Sequence, residues 1–217
     1  MWLFIIYLFQ INKKEGEGDM ECPFIKFVLD YWPLVLLAVI VWGIIDLIRW
    51  VIKVYNRLIT LKHKVINAWH QIEVQLQRRY DLIENLVNAV KGYAKHEKEA
   101  FEKIAEARAR AMGATTPGEK AKAEGELTSV LKTLFAVAEA YPELKANTNF
   151  LQLQEELTST ENKVAYSRQA YNDTVYMFNK AIELFPTNII AGMFGFRPFE
   201  YFDVESEEVR KAPKVQF

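Results

Sequence analysis

The sequence predicts an all-α protein: one N-terminal transmembrane helix followed by an antiparallel four-helix bundle. Three observations predict it. Residues 31 to 54, YWPLVLLAVIVWGIIDLIRWVIKV, are the one stretch that water would reject. From residue 54 to residue 185 apolar side chains recur in steps of three and four, the period of an amphipathic helix. The breaks in that pattern fall at Gly92, Pro117, Pro142 and Pro186, residue types that start or stop helices.

The apolar run carries no charge from residue 31 to residue 45, and only Asp46 and Arg49 interrupt it before Ile52. As a helix, residues 33 to 52 rise about 30 Å, the thickness of a bilayer's hydrocarbon. Pro33 is placed in the first turn, where a missing N–H has no helical partner to lose. Tyr31, Trp32 and Trp50 stand near the two ends, where amphipathic rings favour the headgroups. Asp46 and Arg49 are three apart and share a helix face. A mutually paired, snorkelling couple near the interface is the plainer reading, and contact with another span is the alternative.

Basic residues set the orientation. Lys13, Lys14 and Lys26 precede the run, whereas Arg49, Lys53, Arg57, Lys62 and Lys64 close or follow it. The excess on the C-terminal side places the long C-terminal part in the cytoplasm, with the cell membrane as the location. The first basic residues beyond the run also suit anionic lipid.

Composition narrows the function classes. The chain has 217 residues and a formal charge of −1, which offers no general attraction for nucleic acid. Roughly 165 residues follow the apolar run, enough for one domain with a core. Cys22 is the sole cysteine, so there is no intrachain disulfide and no cysteine metal site, while a bridge to another chain stays open.

Residues 1 to 30 form a short N-terminal segment. Its first part, MWLFIIYLFQI, would rise only about 16 Å as a helix and lacks the leader and cleavage site of a signal peptide. It is read either as an interfacial segment or as an early start, with the natural chain beginning at Met20.

The bundle follows in order. A stripe through Leu58, Leu61, Val65, Ala68, Ile72, Leu76, Ile83, Val87 and Val90 predicts a helix from residue 54 to Gly92. A second helix, residues 94 to 112, carries acids and bases at i,i+4 spacing on a solvated face. For the third, Thr116 caps, Pro117 takes the first position and Glu119 closes a capping box, and the helix stops near Tyr141. The fourth runs from residue 149 to residue 185, with Phe150, Leu153, Leu157, Val164, Tyr171, Val175, Phe178, Ile182 and Phe185 as its buried stripe. Beyond Pro186 the tail carries Phe194, Phe196, Phe199, Tyr201 and Phe202, too many rings to leave in water. They cover the bundle itself, or else meet a partner or the bilayer surface. Residues 204 to 217 are expected to be disordered.

No arrangement for reaction chemistry emerges. His63 and His70 share a face but lie about 10 Å apart, too far for one ion. His96 has no second histidine at metalloprotease spacing, no phosphate loop or nucleophile elbow is present, and the Glu-x-x-His pairs of di-metal bundles are missing. The polar feature that stands out is Gln71, Gln75, Arg78, Arg79 and Asp81, which faces in part the segment NFLQLQEEL if the first and fourth helices are neighbours. It is read as a polar layer that fixes helix register, or as a surface for a partner.

Four stretches resemble the LemA family: AWHQIEVQLQRRYDLI (68 to 83), VKGYAKHEKEAFEKIAEAR (90 to 108), AVAEAYPELKANTNFLQLQEELTSTENKVAYSRQAYND (136 to 173) and FPTNIIAGMFGFRPFEYF (185 to 202). The chain departs from the family at Glu84, where similar sequences carry proline. The resemblance implies a single span, a short outer N-terminus and a cytoplasmic bundle of bromodomain-like form. It brings no catalytic residues and no cofactor.

The expected function is a membrane-anchored scaffold or adaptor, not an enzyme, acting through protein–protein contact or self-association. Its expected partners are membrane lipid and either further copies of the chain or another membrane protein. Gln71, Gln75, Arg78, Arg79, Phe194, Phe196, Phe199, Tyr201 and Phe202 are the candidate partner surface. The alternative is an accessory subunit of a membrane enzyme or transporter, reached through Asp46 and Arg49.

Overall fold

The computed structural model describes residues 23–203, with side chains from residue 31 onward. The expectations for residues 1 to 22, Cys22 included, and for the tail from 204 to 217 lie outside the described residues. Every regular element among those described is helical: α1 (Pro23–Tyr93), α2 (Lys98–Gly113), α3 (Pro117–Glu139), α4 (Pro142–Lys145), α5 (Thr148–Glu183) and α6 (Thr187–Met193). The chain divides into two compact units, residues 1–52 and residues 53–217.

The helix of the apolar run starts earlier than expected. Pro23, not Pro33, is its first residue, and Pro33 lies inside it. The reason is the sequence PFIKFVLD, which has no glycine to stop the helix between the two prolines. Pro33 deprives the carbonyl four residues before it of a helical donor. From residue 31 to residue 49 every side chain is exposed, Trp42 to 69 % and Leu34 to 62 %. A helix that is apolar and exposed all round is long and apolar enough to cross a membrane.

In the second unit one core draws on five helices, the short α4 giving it Leu144. The predicted α1 stripe is buried at Val65, Ile72, Leu76, Ile83 and Val90, and Leu61 packs against it partly covered. α2 adds Phe101, Ile104, Ala107 and Ala111, α3 adds Leu127, Leu131 and Leu134, and α5 adds Phe150, Leu157, Val164, Tyr171, Val175 and Phe178. Their spacings of three, four and seven put each set on one helical face. Phe185, expected to close the stripe of the fourth helix, is instead 79 % exposed, because α5 ends at Glu183 and the chain leaves the helical period before reaching it.

The joints show where local chemistry prevailed. Ala94, expected to open the second helix, is fully buried in the turn before it; its N–H donates to Val90 O at 2.9 Å, and α2 begins only at Lys98. α5 starts at Thr148 because the Asn147 side chain accepts from the N–H groups of Asn149 at 2.9 Å and Phe150 at 3.2 Å. Two short helices, α4 and α6, occupy stretches read from sequence as turn and tail. α6 has an apolar pair, Ile190 and Ala191, to bury.

α3 has the capping box expected of it. The Glu119 N–H donates to Thr116 Oγ1 at 3.3 Å, and Glu119 Oε2 accepts from the Thr116 N–H at 3.3 Å. The N–H groups of Thr116 and then Thr115 hold the Glu119 carboxyl below its ordinary range. A depressed folded value means stabilisation that is complete above the unfolded pKa and lost as pH falls through the folded one. Protection of the amides at residues 118–120, taken relative to their intrinsic exchange rates, should therefore fall on acidification below the ordinary glutamate range, and Glu119→Gln should remove that pH dependence.

Glu84, where the resemblance implies proline, stands at a position with a prepared substitute. In a helix the Tyr80 carbonyl accepts from the N–H of residue 84, the bond that a proline there would remove. Arg108 Nε donates to that same carbonyl at 3.1 Å, and Arg108 Nη2 reaches Glu84 Oε2 at 2.7 Å. Glu84→Pro should thus cost clearly less than the ~3 kcal/mol of an interior proline. Asn85→Pro, one residue on, should show the full cost, as should Glu84→Pro combined with Arg108→Ala, with midpoints read from urea titrations.

Candidate functional site

Three helices converge on a buried polar centre in the second unit. Arg79 follows Arg78 on α1, but a helix turns 100° per residue, so the two neighbours face different surroundings. Arg78 is exposed and reaches Glu156 at 3.6 Å. Arg79 is only 4 % exposed and points among α3 and α5. Its Nη1 pairs with Glu124 Oε2, and its Nη2 donates to Thr128 Oγ1 at 2.8 Å and to Glu161 Oε1 at 3.1 Å.

Glu124 is equally enclosed and is held from two sides. Its Oε1 accepts from the hydroxyl of Tyr80, the residue next to Arg79. Burial first, and the Glu124 carboxylate second, push the Tyr80 phenol above its ordinary 10.0, so it stays a donor through the physiological range. Thr128 completes the arrangement by donating to the Glu124 carbonyl at 2.8 Å while accepting from Arg79. One nitrogen, Arg79 Nε, has no protein acceptor. Such a fork meeting two carboxylates ties three helices to one another.

The rest of the predicted polar surface lies elsewhere. Gln71 is exposed, Asp81 accepts from Gln77 at 2.9 Å, and half-buried Gln75 has an Oε1 without a partner. Gln75 lines an open groove between α1 and α5 with Ser159, Asn162, Lys163, Tyr166 and Ser167. His63, His70 and His96 are all exposed, His70 beside Glu73 at 3.0 Å. Among the described residues no group of three or more metal-ligating side chains converges. Asp46 and Arg49 are both exposed, and among the described residues neither forms an ion pair.

The aromatic tail is divided rather than gathered on one surface. The Phe194 ring lies 4.7 Å from Tyr55 and is half-exposed. Phe196 and Phe199 pack on Phe178, at 6.2 and 5.2 Å. Phe202, placed with the partner surface on sequence grounds, is 1 % exposed: it sits 6.1 Å from Trp69 with the Arg168 guanidinium 4.8 Å above its ring. Tyr201, one residue earlier, points outward. Arg79 and Phe202 are therefore interior residues and cannot meet a partner in this fold.

Two asparagines that the sequence reading passed over hold the tail in place. Asn179 donates to Phe199 O and accepts from Phe199 N–H, both at 2.9 Å. Asn172 does the same for Phe202, at 3.1 and 2.9 Å. Seven residues of α5 rise about 10.5 Å, and three extended residues span about 10 Å, so the two side-chain amides match two backbone amides of the strap. The Tyr171 hydroxyl adds a bond to Glu200 O at 2.8 Å, and burial, then Glu200, pushes its pKa up to about 12. A polar residue repeated every seven positions inside a buried stripe was the signal.

Fold and centre together define an all-helical protein with one candidate membrane span, whose buried charges join helices to one another. The LemA family model matches residues 68–217, and the chain belongs to the LemA family. It is 26 % identical over 167 residues to protein LemA of Metamycoplasma hominis, covering 71 % of this chain and 75 % of that one. It is also 23 % identical over 193 residues to the magnetosome protein MamQ of Magnetospirillum gryphiswaldense and 24 % identical to MamQ 2 of Paramagnetospirillum magneticum, each covering 77 % of this chain and 71 % of the relative. Family, relatives and apolar helix point to a membrane-associated helical protein. None of these names states a reaction.

Proposed function

We propose that the chain is a membrane-anchored scaffold or adaptor that works by binding copies of itself or another membrane protein. In this reading residues 31 to 54 cross the cell membrane, residues 55 to 203 form an antiparallel four-helix bundle on the cytoplasmic side, and residues 204 to 217 are a tail. The carrying observation is how the buried charge is used. Arg79, Glu124, Glu161, Tyr80 and Thr128 bond to one another, with Arg79 Nε alone unpartnered among their side-chain atoms at the centre, so the charge there is spent on holding three helices together. The surface left for recognition is Gln71, Gln75, Arg78 and the outward-facing part of the aromatic tail. The relation to a magnetosome protein fits work at a membrane.

Crosslinking in native membranes tests the idea: adducts with itself or with one recurring protein are expected. Monomer alone, where a control oligomer is trapped, would sink it.

A second reading, an accessory subunit docked through its span, draws support from the exposed and mutually unpaired Asp46 and Arg49. An unpaired charge at that depth gains from a complementary charge on a neighbouring span. Replacing both with leucine should then abolish copurification of the partner, and unchanged recovery would exclude this route.

A further inference from the structure

We propose that the corner joining α5 to α6, residues 184 to 194, is a second membrane contact, its apolar side chains seated in the headgroup–acyl boundary of the bilayer. This rests on the reading that the apolar run of α1 spans that bilayer. The corner holds the densest set of exposed apolar side chains in the second unit: Leu184 at 53 %, Phe185 at 79 %, Ile189 at 52 %, Met193 at 73 % and Phe194 at 53 % exposure. Ile189 and Met193 are four apart on α6, hence on one face, while Ile190 and Ala191 of the same helix are buried. α6 is thus apolar on both sides, one turned into the protein and one turned out. A soluble surface rarely leaves so many large apolar groups together.

What covers the corner follows from where it lies. Phe194 packs against Tyr55 at 4.7 Å, and Phe196 packs against the same ring at 6.0 Å. Tyr55 comes three residues after Ile52, the last residue of the unit that contains the apolar run. Three residues of chain reach at most about 11 Å, so Tyr55, and Phe194 with it, stays close to the end of the span however the two units are oriented. The surroundings carry the sign that anionic lipid requires. Lys53 and Arg57 flank Tyr55 and are exposed, exposed Arg197 is the charge within residues 184 to 199, and the exposed acids Glu183 and Glu200 bound that stretch, so bases outnumber acids three to two around the corner. Affinity from free solution is unnecessary. The span makes insertion an intramolecular event, so a small apolar face suffices.

The test uses the full chain in vesicles of phosphatidylcholine and phosphatidylglycerol. Cys22→Ser supplies a cysteine-free background for single substitutions at exposed positions: Phe185→Cys, Met193→Cys, Tyr166→Cys and Val41→Cys, each carrying an environment-sensitive fluorophore. Lipids bearing nitroxides on their acyl chains should quench the label at 185 and 193 nearly as well as at 41 in the span, and leave the label at 166 untouched. Quenching at 41 with none at 185 and 193 overturns the proposal while the span stands. No quenching at 41 overturns both. If labels at 185 and 193 are shielded from aqueous iodide without lipid quenching, and dilution with unlabelled protein lifts the shielding, a second copy covers the corner and the proposal is wrong.

Discussion

Arg79→Leu should destabilise the helical unit by about 3–5 kcal/mol, the loss typical when one partner of a buried ion pair is deleted. Glu124 would keep only the Tyr80 hydroxyl as a partner inside a site with almost no solvent, and Glu161 and Thr128 would lose their shared donor. A loss of this size is a large part of a domain's usual 5–15 kcal/mol. The adjacent Arg78→Leu, at an exposed ion pair of 3.6 Å, should change stability by less than about 1 kcal/mol. The origin of the loss can be separated from loss of the pair as such. Arg79→Leu combined with Glu124→Leu and Tyr80→Phe removes the enclosed orphaned groups and leaves Glu161, which is part-exposed, and Thr128, which keeps its bond to the carbonyl of residue 124; an apolar centre of similar volume should recover much of the stability. Urea titrations in detergent, compared at constant slope, provide the reading. A single Arg79→Leu variant within about 1 kcal/mol of the parent would show that Glu124 finds solvent or another partner, against the enclosed geometry.

Phe202→Ala is the second large effect, again about 3–5 kcal/mol for a fully buried phenylalanine truncated in place. Its ring is the anchor of the C-terminal strap, with Trp69 on one side and the Arg168 guanidinium over its face. Without it the strap is held mainly by two asparagine amides and the Tyr171 hydroxyl, each bond worth about 1 kcal/mol net. The amide protons of Phe199 and Phe202 should then exchange well ahead of those at Leu131 in the core. Tyr201→Ala, one position away and facing solvent, should stay within about 0.5 kcal/mol. Equal losses at 201 and 202 would mean that the strap is held by its backbone alone.

Much of the helical content was legible because the signals are local. The stripe of α1 runs on the helical period, and of its members named from sequence only Leu61 is less than buried. Thr116, Pro117 and Glu119 started α3 where three adjacent residue types said a helix should start. The errors are local too. Pro33 was given the first turn although Pro23, with no glycine between them, was the earlier place for a helix to begin. The second helix is expected from Ala94, just after Gly92, whereas Ala94 is buried in the turn and the helix begins at Lys98. α6 was hidden by its shortness and by the prolines and aromatics around it.

The candidate site was legible only in part. The cluster at Gln71, Gln75, Arg78 and Arg79 was visible as polarity on one helix, and a register-fixing layer was one of its two readings. Its true members, Glu124 and Thr128 on α3 and Glu161 on α5, lie 45, 49 and 82 residues away from Arg79. No window along α1 contains them.

From its own order of residues, then, this chain determined an apolar helix fit for a membrane, the helices that follow and the family it belongs to, because periodicity, caps and composition act over a few residues. Tertiary structure alone decided that Arg79 turns inward while Arg78 faces water, that Asn172 and Asn179 grip the strap, and that Phe202 is buried while Phe194 is left exposed beside Tyr55. The physical reason is that burial of a polar or aromatic group depends on partners brought close by packing, and in this chain those partners stand tens of residues apart.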